Sequence, residues 1–127
     1  MIRVLVLDDD WSTVQGLRRL LEGDGYEVAG FASPGAAVEE LRRGRVDAVI
    51  TDLEMPGLHG VGVVRAARAA HPGIPILVVT AYERSPACQD AVAAGARQIF
   101  PKPVDYDALK RALAAFTARP SLPPDGP

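Results

Sequence analysis

The chain has 127 residues, the size of one ordinary domain and long enough to bury a self-sufficient core. Hydrophobic residues at 48% and charged residues at 24% are globular proportions, and a net charge of −2 excludes a chain-wide basic footprint for nucleic acid. The lone Cys88 excludes an internal disulfide, one cysteine with two distant histidines makes no zinc pattern, and apolar runs of only strand length exclude a membrane span.

The N-terminus enters an apolar run at once, without the basic segment and cleavage site of a signal peptide, so a cytoplasmic protein is expected. Residues 2–7 read as the first strand and end in Asp8-Asp9-Asp10. The helical pattern that follows carries Val14, Leu17 and Leu21 on one face and opens with Ser12-Thr-Val-Gln15, a capping-box spelling. Residues 27–31 form a second strand that ends uncharged at Phe31-Ala32. Ser33-Pro34 then places an N-cap before a proline at the first helical position, and Gly44 stands where a left-handed C-terminal residue is expected. Residues 46–51 form a third strand, ending in Asp52. Residues 74–80 form the fourth, ending in Thr80. Ser85-Pro86 opens the next helix and Gly95 follows it. Residues 98–100 form a fifth strand that runs into Pro101-Lys-Pro103, and the last helix, 105–116, presents Leu109, Ala112, Leu113 and Phe116 on one face. Residues 1–117 are thus expected to fold, with 118–127 a Pro-rich tail or truncated linker.

Five strand–helix units imply an α/β fold: a single doubly wound, five-stranded parallel sheet with helices on both faces. In such sheets ligands bind beyond the carboxyl ends of the strands. Read by itself, each polar residue there has an ordinary explanation. Asp52 can be a loop acid or a helix cap, Thr80 a strand-ladder residue, Lys102 a solvated charge, and Gly60 a left-handed turn residue. Trp11 reads as packing over the first helix. Their joint placement on four strand ends is what needs a cause.

Two carboxylates about 5 Å apart at an effective dielectric near 20 repel by roughly 3 kcal/mol. Asp8, Asp9 and Asp52 converging therefore call for raised pKa values or a cation. Oxygen donors without His or Cys select a hard ion such as Mg2+, and the three carboxylates, Mg2+ and Lys102 together balance in charge. A carboxylate nucleophile beside a metal, the Thr80 hydroxyl and the Lys102 ammonium suits in-line attack on a phosphoryl group.

Four motifs together resemble the receiver domain of two-component response regulators, chemotaxis regulators among them. They are Val4-Leu-Val-Leu-Asp-Asp9, Asp52-Leu-Glu-Met-Pro-Gly-Leu-His-Gly60, Val78-Val-Thr-Ala81 and Gly95-Ala followed by Pro101-Lys-Pro103, and the likeness runs from Ile2 to Phe116. The resemblance implies a flavodoxin-like fold with strand order 2-1-3-4-5. It implies that Asp52 is the phosphoacceptor, charged from a phosphohistidine on a sensor histidine kinase or histidine phosphotransfer protein. Asp9 and Asp52 would bind Mg2+ directly, Asp8 mainly through water, and the Glu54 backbone carbonyl would be the third protein ligand. Thr80 would turn toward the phosphoryl oxygens and Lys102 would pair with them, with the Lys102-Pro103 bond cis. An effector domain, a downstream protein or a second copy would read the face of the fourth helix, fifth strand and fifth helix. Neither direct nucleic-acid nor membrane binding is expected, nor is turnover beyond the domain's own phosphorylation and dephosphorylation.

The pattern departs at Ile99, where receivers commonly carry an inward-swinging Tyr or Phe. Phe100, next door, is expected on the opposite face. A weaker or differently wired change on the output face follows. Glu54 and Tyr82, two past Asp52 and Thr80, occupy positions that in relatives influence hydrolysis of the acyl phosphate. Two rival readings remain at this stage. Asp8-Asp-Asp-Trp-Ser12 fits the opening motif of haloacid-dehalogenase-like phosphatases, with Asp8 as nucleophile and Asp10 as general acid/base. The chain then lacks that family's later acidic pair and leaves the Asp52 motif unexplained. The other rival is a receiver-shaped binding module without phosphotransfer, against which the intact set Asp8, Asp9, Asp52, Thr80 and Lys102 argues.

Overall fold

The computed structural model describes residues 1–55 and 60–118. Among them strands and helices alternate strictly: β1 (Arg3–Leu7), α1 (Trp11–Gly23), β2 (Glu27–Phe31), α2 (Pro34–Arg43), β3 (Ala48–Thr51), α3 (Gly60–Ala70), β4 (Ile76–Thr80), α4 (Pro86–Ala94), β5 (Gln98–Pro101) and α5 (Tyr106–Thr117). The strands form one parallel sheet in the order β2-β1-β3-β4-β5, the expected flavodoxin-like arrangement. The middle of the Asp52 motif, Pro56-Gly-Leu-His59, and the tail, 119–127, complete the chain. Both lie outside the described residues.

Strand periodicity sorts the core into two layers. Leu5, Leu7, Val49, Ile76 and Val78 face α2, α3 and α4, where they meet Leu41, Val64 and Ala91. Val4, Val6, Ile50, Leu77 and Val79 face α1 and α5, where they meet Val14, Leu21, Leu109 and Leu113. Each fully buried Leu, Ile or Val contributes about 1.5–3 kcal/mol, so the central strands β1, β3 and β4 hold the sheet together. Ile99 packs with the first layer and Phe100 is buried in the second, as alternation requires.

Several expectations are corrected at element ends. The fourth strand begins at Ile76 rather than 74, because Pro75 has no N–H for the ladder; its carbonyl still accepts from Val49 N at 3.0 Å. The third begins at Ala48 rather than 46. Asp47 N still donates to Arg3 O at 2.8 Å, but its side chain turns back to accept from Arg3 N at 2.8 Å, where a strand would offer a backbone carbonyl. The capping box at Ser12 does not form. Asp10 caps α1 instead, its carboxylate accepting from Ser12 N at 3.1 Å, Ser12 Oγ at 2.7 Å and Thr13 Oγ1 at 3.1 Å, while Gln15 Oε1 is buried without a partner among the described residues. Ser33 and Ser85 do cap α2 and α4, each with a proline following.

Glycines show the same kind of substitution. Gly95 has the expected positive φ of 123°, but Gly44 is extended at φ −113°. Its requirement is space: a Cβ there would lie 2.5 Å from Glu40 Oε2, and that carboxylate is folded back to meet Arg3 Nη1 at 2.6 Å. Gly60 is likewise no left-handed turn. It opens α3, and a Cβ there would collide with Leu53 Cα and lie 2.7 Å from the carbonyl oxygen of Asp52, so only a hydrogen fits. This contact seats α3 on the loop that leaves β3.

Candidate functional site

The strand order brings the carboxyl ends of β1, β3 and β4 side by side, with β5 at the edge. Asp8 leaves β1 and Asp52 leaves β3; both are 4% exposed. Thr80 ends β4 fully buried, and the Lys102 backbone N–H donates to the Thr80 carbonyl at 2.9 Å. From there the Lys102 ammonium reaches across the sheet end, donating to Asp8 Oδ2 at 2.9 Å and Asp52 Oδ2 at 3.0 Å. The remaining carboxylate oxygens are fixed by local backbone. Asp8 Oδ1 accepts from Asp10 N at 2.9 Å, and Asp52 Oδ1 accepts from Glu54 N at 3.1 Å. The Lys102-Pro103 bond is cis. A cleft of about 540 Å³ opens beside Asp8, Asp52 and Lys102, walled by Leu17, Ile50 and Val79.

Asp9 is exposed, and one carboxylate oxygen from each of Asp8, Asp9 and Asp52 lies within 4.8 Å of the others. Burial pushes the Asp8 carboxyl above its usual range and the Asp52 charge adds to the shift, against the opposing Asp10 N–H and Lys102. Burial by itself would lower Lys102, yet the hydrogen-bonded Asp8 and Asp52 carboxylates outweigh it and hold the ammonium above its usual value. One ammonium thus answers three carboxylates, and the pocket retains the negative charge that a divalent cation neutralises. Its donors are oxygens, as a hard cation requires. The residues present fit such an ion.

Thr80 and Glu54 make a contact that spacing along the chain did not suggest. The Thr80 hydroxyl donates to Glu54 Oε1 and accepts from Tyr82 N at 3.1 Å. The other Glu54 oxygen, Oε2, is buried without a partner among the described residues. Burial, with the Asp52 charge behind it, pushes the Glu54 carboxyl up against the opposing Thr80 hydrogen bond. The signal available beforehand was the pairing of neighbouring strands: Thr51 stands opposite Val78, which puts a side chain two past Asp52 within reach of the end of β4. Tyr82 itself is 64% exposed, and Trp11 is half-exposed at the start of α1.

Asp10 stands apart from the cluster. Its carboxylate is consumed as the α1 cap, and the Ser12 and Thr13 hydroxyls hold it below the usual range. A general acid needs the opposite shift, so the phosphatase reading loses its second carboxyl.

Comparison with known proteins agrees with this geometry. The family model described as the response regulator receiver domain matches residues 4–114. The chain is 37% identical over 112 residues to the transcriptional regulatory protein ZraR of Escherichia coli K12, covering 88% of this chain and 25% of that protein. It therefore spans about a quarter of the length of that relative. Among solved structures, the Vibrio cholerae chemotaxis protein CheY4 matches with a TM-score of 0.83 at 33% identity, covering 91% of this chain and 98% of that one. The receiver domain of the Pseudomonas aeruginosa sensor histidine kinase PA1611, whose structure has a magnesium ion coordinated in the active-site cleft, matches with a TM-score of 0.82 at 26% identity, covering 91% and 97%. With the 2-1-3-4-5 sheet, the acidic cluster at its carboxyl end and the bridging lysine already in place, the chain belongs to the response regulator receiver domains of two-component signalling.

Proposed function

We propose that Asp52 is the residue phosphorylated, and that its phosphoryl group comes from a phosphohistidine on a sensor histidine kinase or histidine phosphotransfer protein. The observation that carries this reading is the position of Asp52 between its strand neighbours. Asp8 and Asp9 flank it from β1, while Thr80 flanks it from β4 and Lys102 holds one of its oxygens. A phosphoryl group on Asp8 would stand a strand further from Thr80. An Asp52 carboxylate oxygen attacks phosphorus as the P–N bond breaks, and the electron pair returns to the imidazole nitrogen of the donor. Lys102 keeps its place and meets a phosphoryl oxygen, and the Thr80 hydroxyl turns to donate to another. Asp9, Asp52 and the Glu54 backbone carbonyl, with Asp8 mainly through water, would hold Mg2+, which would supply the positive charge that lets an anionic phosphoryl group approach three carboxylates. The magnesium in the PA1611 receiver supports that choice of ion.

The receiver is assigned to residues 1–117; residues 119–127 lie outside the described residues. The receiver acts as a phosphoacceptor rather than an enzyme with turnover on other substrates, and its readout is the face of α4, β5 and α5. That face meets an effector domain, a downstream protein or a second copy. No helix among the described residues is long and apolar enough to cross a membrane, which is compatible with a cytoplasmic site of action.

Incubation with acetyl phosphate and Mg2+ is expected to give a hydroxylamine-labile phosphate that disappears in Asp52→Asn and persists at a reduced level in Asp8→Asn. Labelling abolished by Asp8→Asn and retained in Asp52→Asn would instead restore the phosphatase reading. The metal assignment has its own test, because Trp11, the sole tryptophan, lies two residues past Asp9. Millimolar Mg2+ is expected to change its fluorescence, with the response lost in Asp9→Ala; a response that survives that substitution would remove Asp9 from the metal site.

A further inference from the structure

We propose that the Glu54 carboxylate is a latch: it holds the Thr80 hydroxyl in the unphosphorylated receiver and competes with the incoming phosphoryl group for that donor. The proposal rests on Asp52 as the phosphoacceptor and goes beyond it by giving Glu54 a positioning role of its own.

A threonine hydroxyl has a single proton to donate. In this structure it goes to Glu54 Oε1, and Tyr82 N–H occupies the oxygen on its other side. Thr80 is fully buried, so no exchange with solvent hides the cost of changing partners. Turning toward a phosphoryl oxygen means leaving Glu54. The latch is also built to let go. Its second oxygen, Oε2, is buried without a partner among the described residues, so only part of the desolvation of this carboxylate is offset where it stands.

Phosphorylation acts on the latch by two routes. The first is charge, because the phosphoryl group adds negative charge at Asp52, whose Oδ1 is hydrogen-bonded to the backbone of Glu54. The second is mechanical. Glu54 N–H donates to Asp52 Oδ1, so the carboxylate that takes the phosphoryl group also anchors the backbone of the latch. Ile99 gives the arrangement its significance. It carries no hydrogen-bonding group and packs with the layer facing α2, α3 and α4, so it cannot exchange polar partners when Thr80 moves. In this chain the partner that responds to Thr80 is Glu54.

The test is a double-mutant cycle with beryllofluoride and Mg2+ as the phosphoryl probe, its bound signal followed by fluorine NMR in wild type, Glu54→Ala, Glu54→Gln, Thr80→Ala and the Glu54→Ala/Thr80→Ala pair. Releasing a charged acceptor from Thr80 is expected to tighten beryllofluoride binding about tenfold in Glu54→Ala. Glu54→Gln, which keeps an acceptor and loses the charge, is expected to fall between the two and guards against a folding defect in the alanine variant. In the Thr80→Ala background the gain is expected to vanish. An equal gain there would mean simple charge repulsion, and no gain in Glu54→Ala would mean no competition; either overturns the latch. A second arm needs no phosphoryl probe. Three-bond couplings of Thr80 in the free protein are expected to report one rotamer in wild type and an average in Glu54→Ala, and one unchanged rotamer in both would overturn the contact. Wild type and Asp52→Asn both failing to bind beryllofluoride would sink the phosphoacceptor reading, while the coupling data would still decide the contact.

Discussion

Asp8 and Asp52 show why a functional pocket costs stability. Both carboxylates are nearly sealed from water, they share one lysine nitrogen, and burial raises the pKa of Asp8 despite that partner. A raised carboxyl pKa in the folded state means that the charged form is disfavoured by folding. Replacing Asp8 by Asn removes one of the repelling charges and leaves Lys102 paired to Asp52 alone. Asp8→Asn is therefore expected to be more stable than wild type by about 1 kcal/mol in metal-free urea unfolding at neutral pH. Added Mg2+ is expected to stabilise wild type and to narrow or reverse that difference, because an ion bound only to the native state raises its stability by mass action. An Asp8→Asn variant less stable than wild type without metal would show that the Lys102 bond outweighs the repulsion.

At the scale of elements, the end opposite the pocket is held by ionic contacts among β1, β2 and α2. Arg3 meets Glu40 Oε2 at 2.6 Å and Glu27 Oε2 at 3.0 Å, and Arg43 meets Glu40 Oε1 at 3.3 Å. The hydrogen bond from Arg3 holds Glu40 below the usual carboxylate range, and Arg43 adds to it. A lowered folded pKa contributes stability that is present above the unfolded value, near 4.3–4.5, and is lost as pH falls through the folded value. Glu40→Gln is accordingly expected to cost about 1–2 kcal/mol at pH 7, with the difference from wild type shrinking as the pH falls below about 4. A gap that persists unchanged into acid would place the loss in packing. At the other end of the sheet, Gly60 joins α3 to the backbone of Asp52 and Leu53. Gly60→Ala forces apart elements in direct contact and is expected to cost more than about 2 kcal/mol and to weaken Mg2+ binding with it. Chemical denaturation and Trp11 fluorescence would report the two effects separately, and loss of stability with metal binding intact would uncouple α3 from the pocket.

For the molecule as a whole, the alternation of apolar strand runs with helical patterns was enough to derive the parallel sheet, and the strand-end rule was enough to find Asp8, Asp52, Thr80 and Lys102. Those features are legible because they repeat along the chain. What escaped depends on groups far apart in sequence or on competition between near neighbours. Asp10 and Ser12 both suit the cap of α1, and only the fold decides for Asp10. Gly44 leaves room for the Glu40 carboxylate, which reaches toward Arg3, thirty-seven residues away. The Glu54–Thr80 contact spans twenty-six residues and depends on the pairing of β3 with β4. The boundary of the folded unit is a question at this same scale. In α5, Leu109 and Leu113 are fully buried against the layer that holds α1. The helix then closes on itself, with Thr117 Oγ1 donating to Leu113 O at 2.7 Å and Ala118 N to Ala114 O at 2.9 Å. With its last turn satisfied locally, a chain ending at Ala118 is expected to unfold within about 0.5 kcal/mol of the full chain. A chain ending at Ala112 loses Leu113 and Phe116 and is expected to fall by several kcal/mol, about 2–5 for Leu113 by itself. Urea midpoints for the two truncations would place the boundary. A large loss on ending at Ala118 would assign residues 119–127 a part in the fold rather than in a tail.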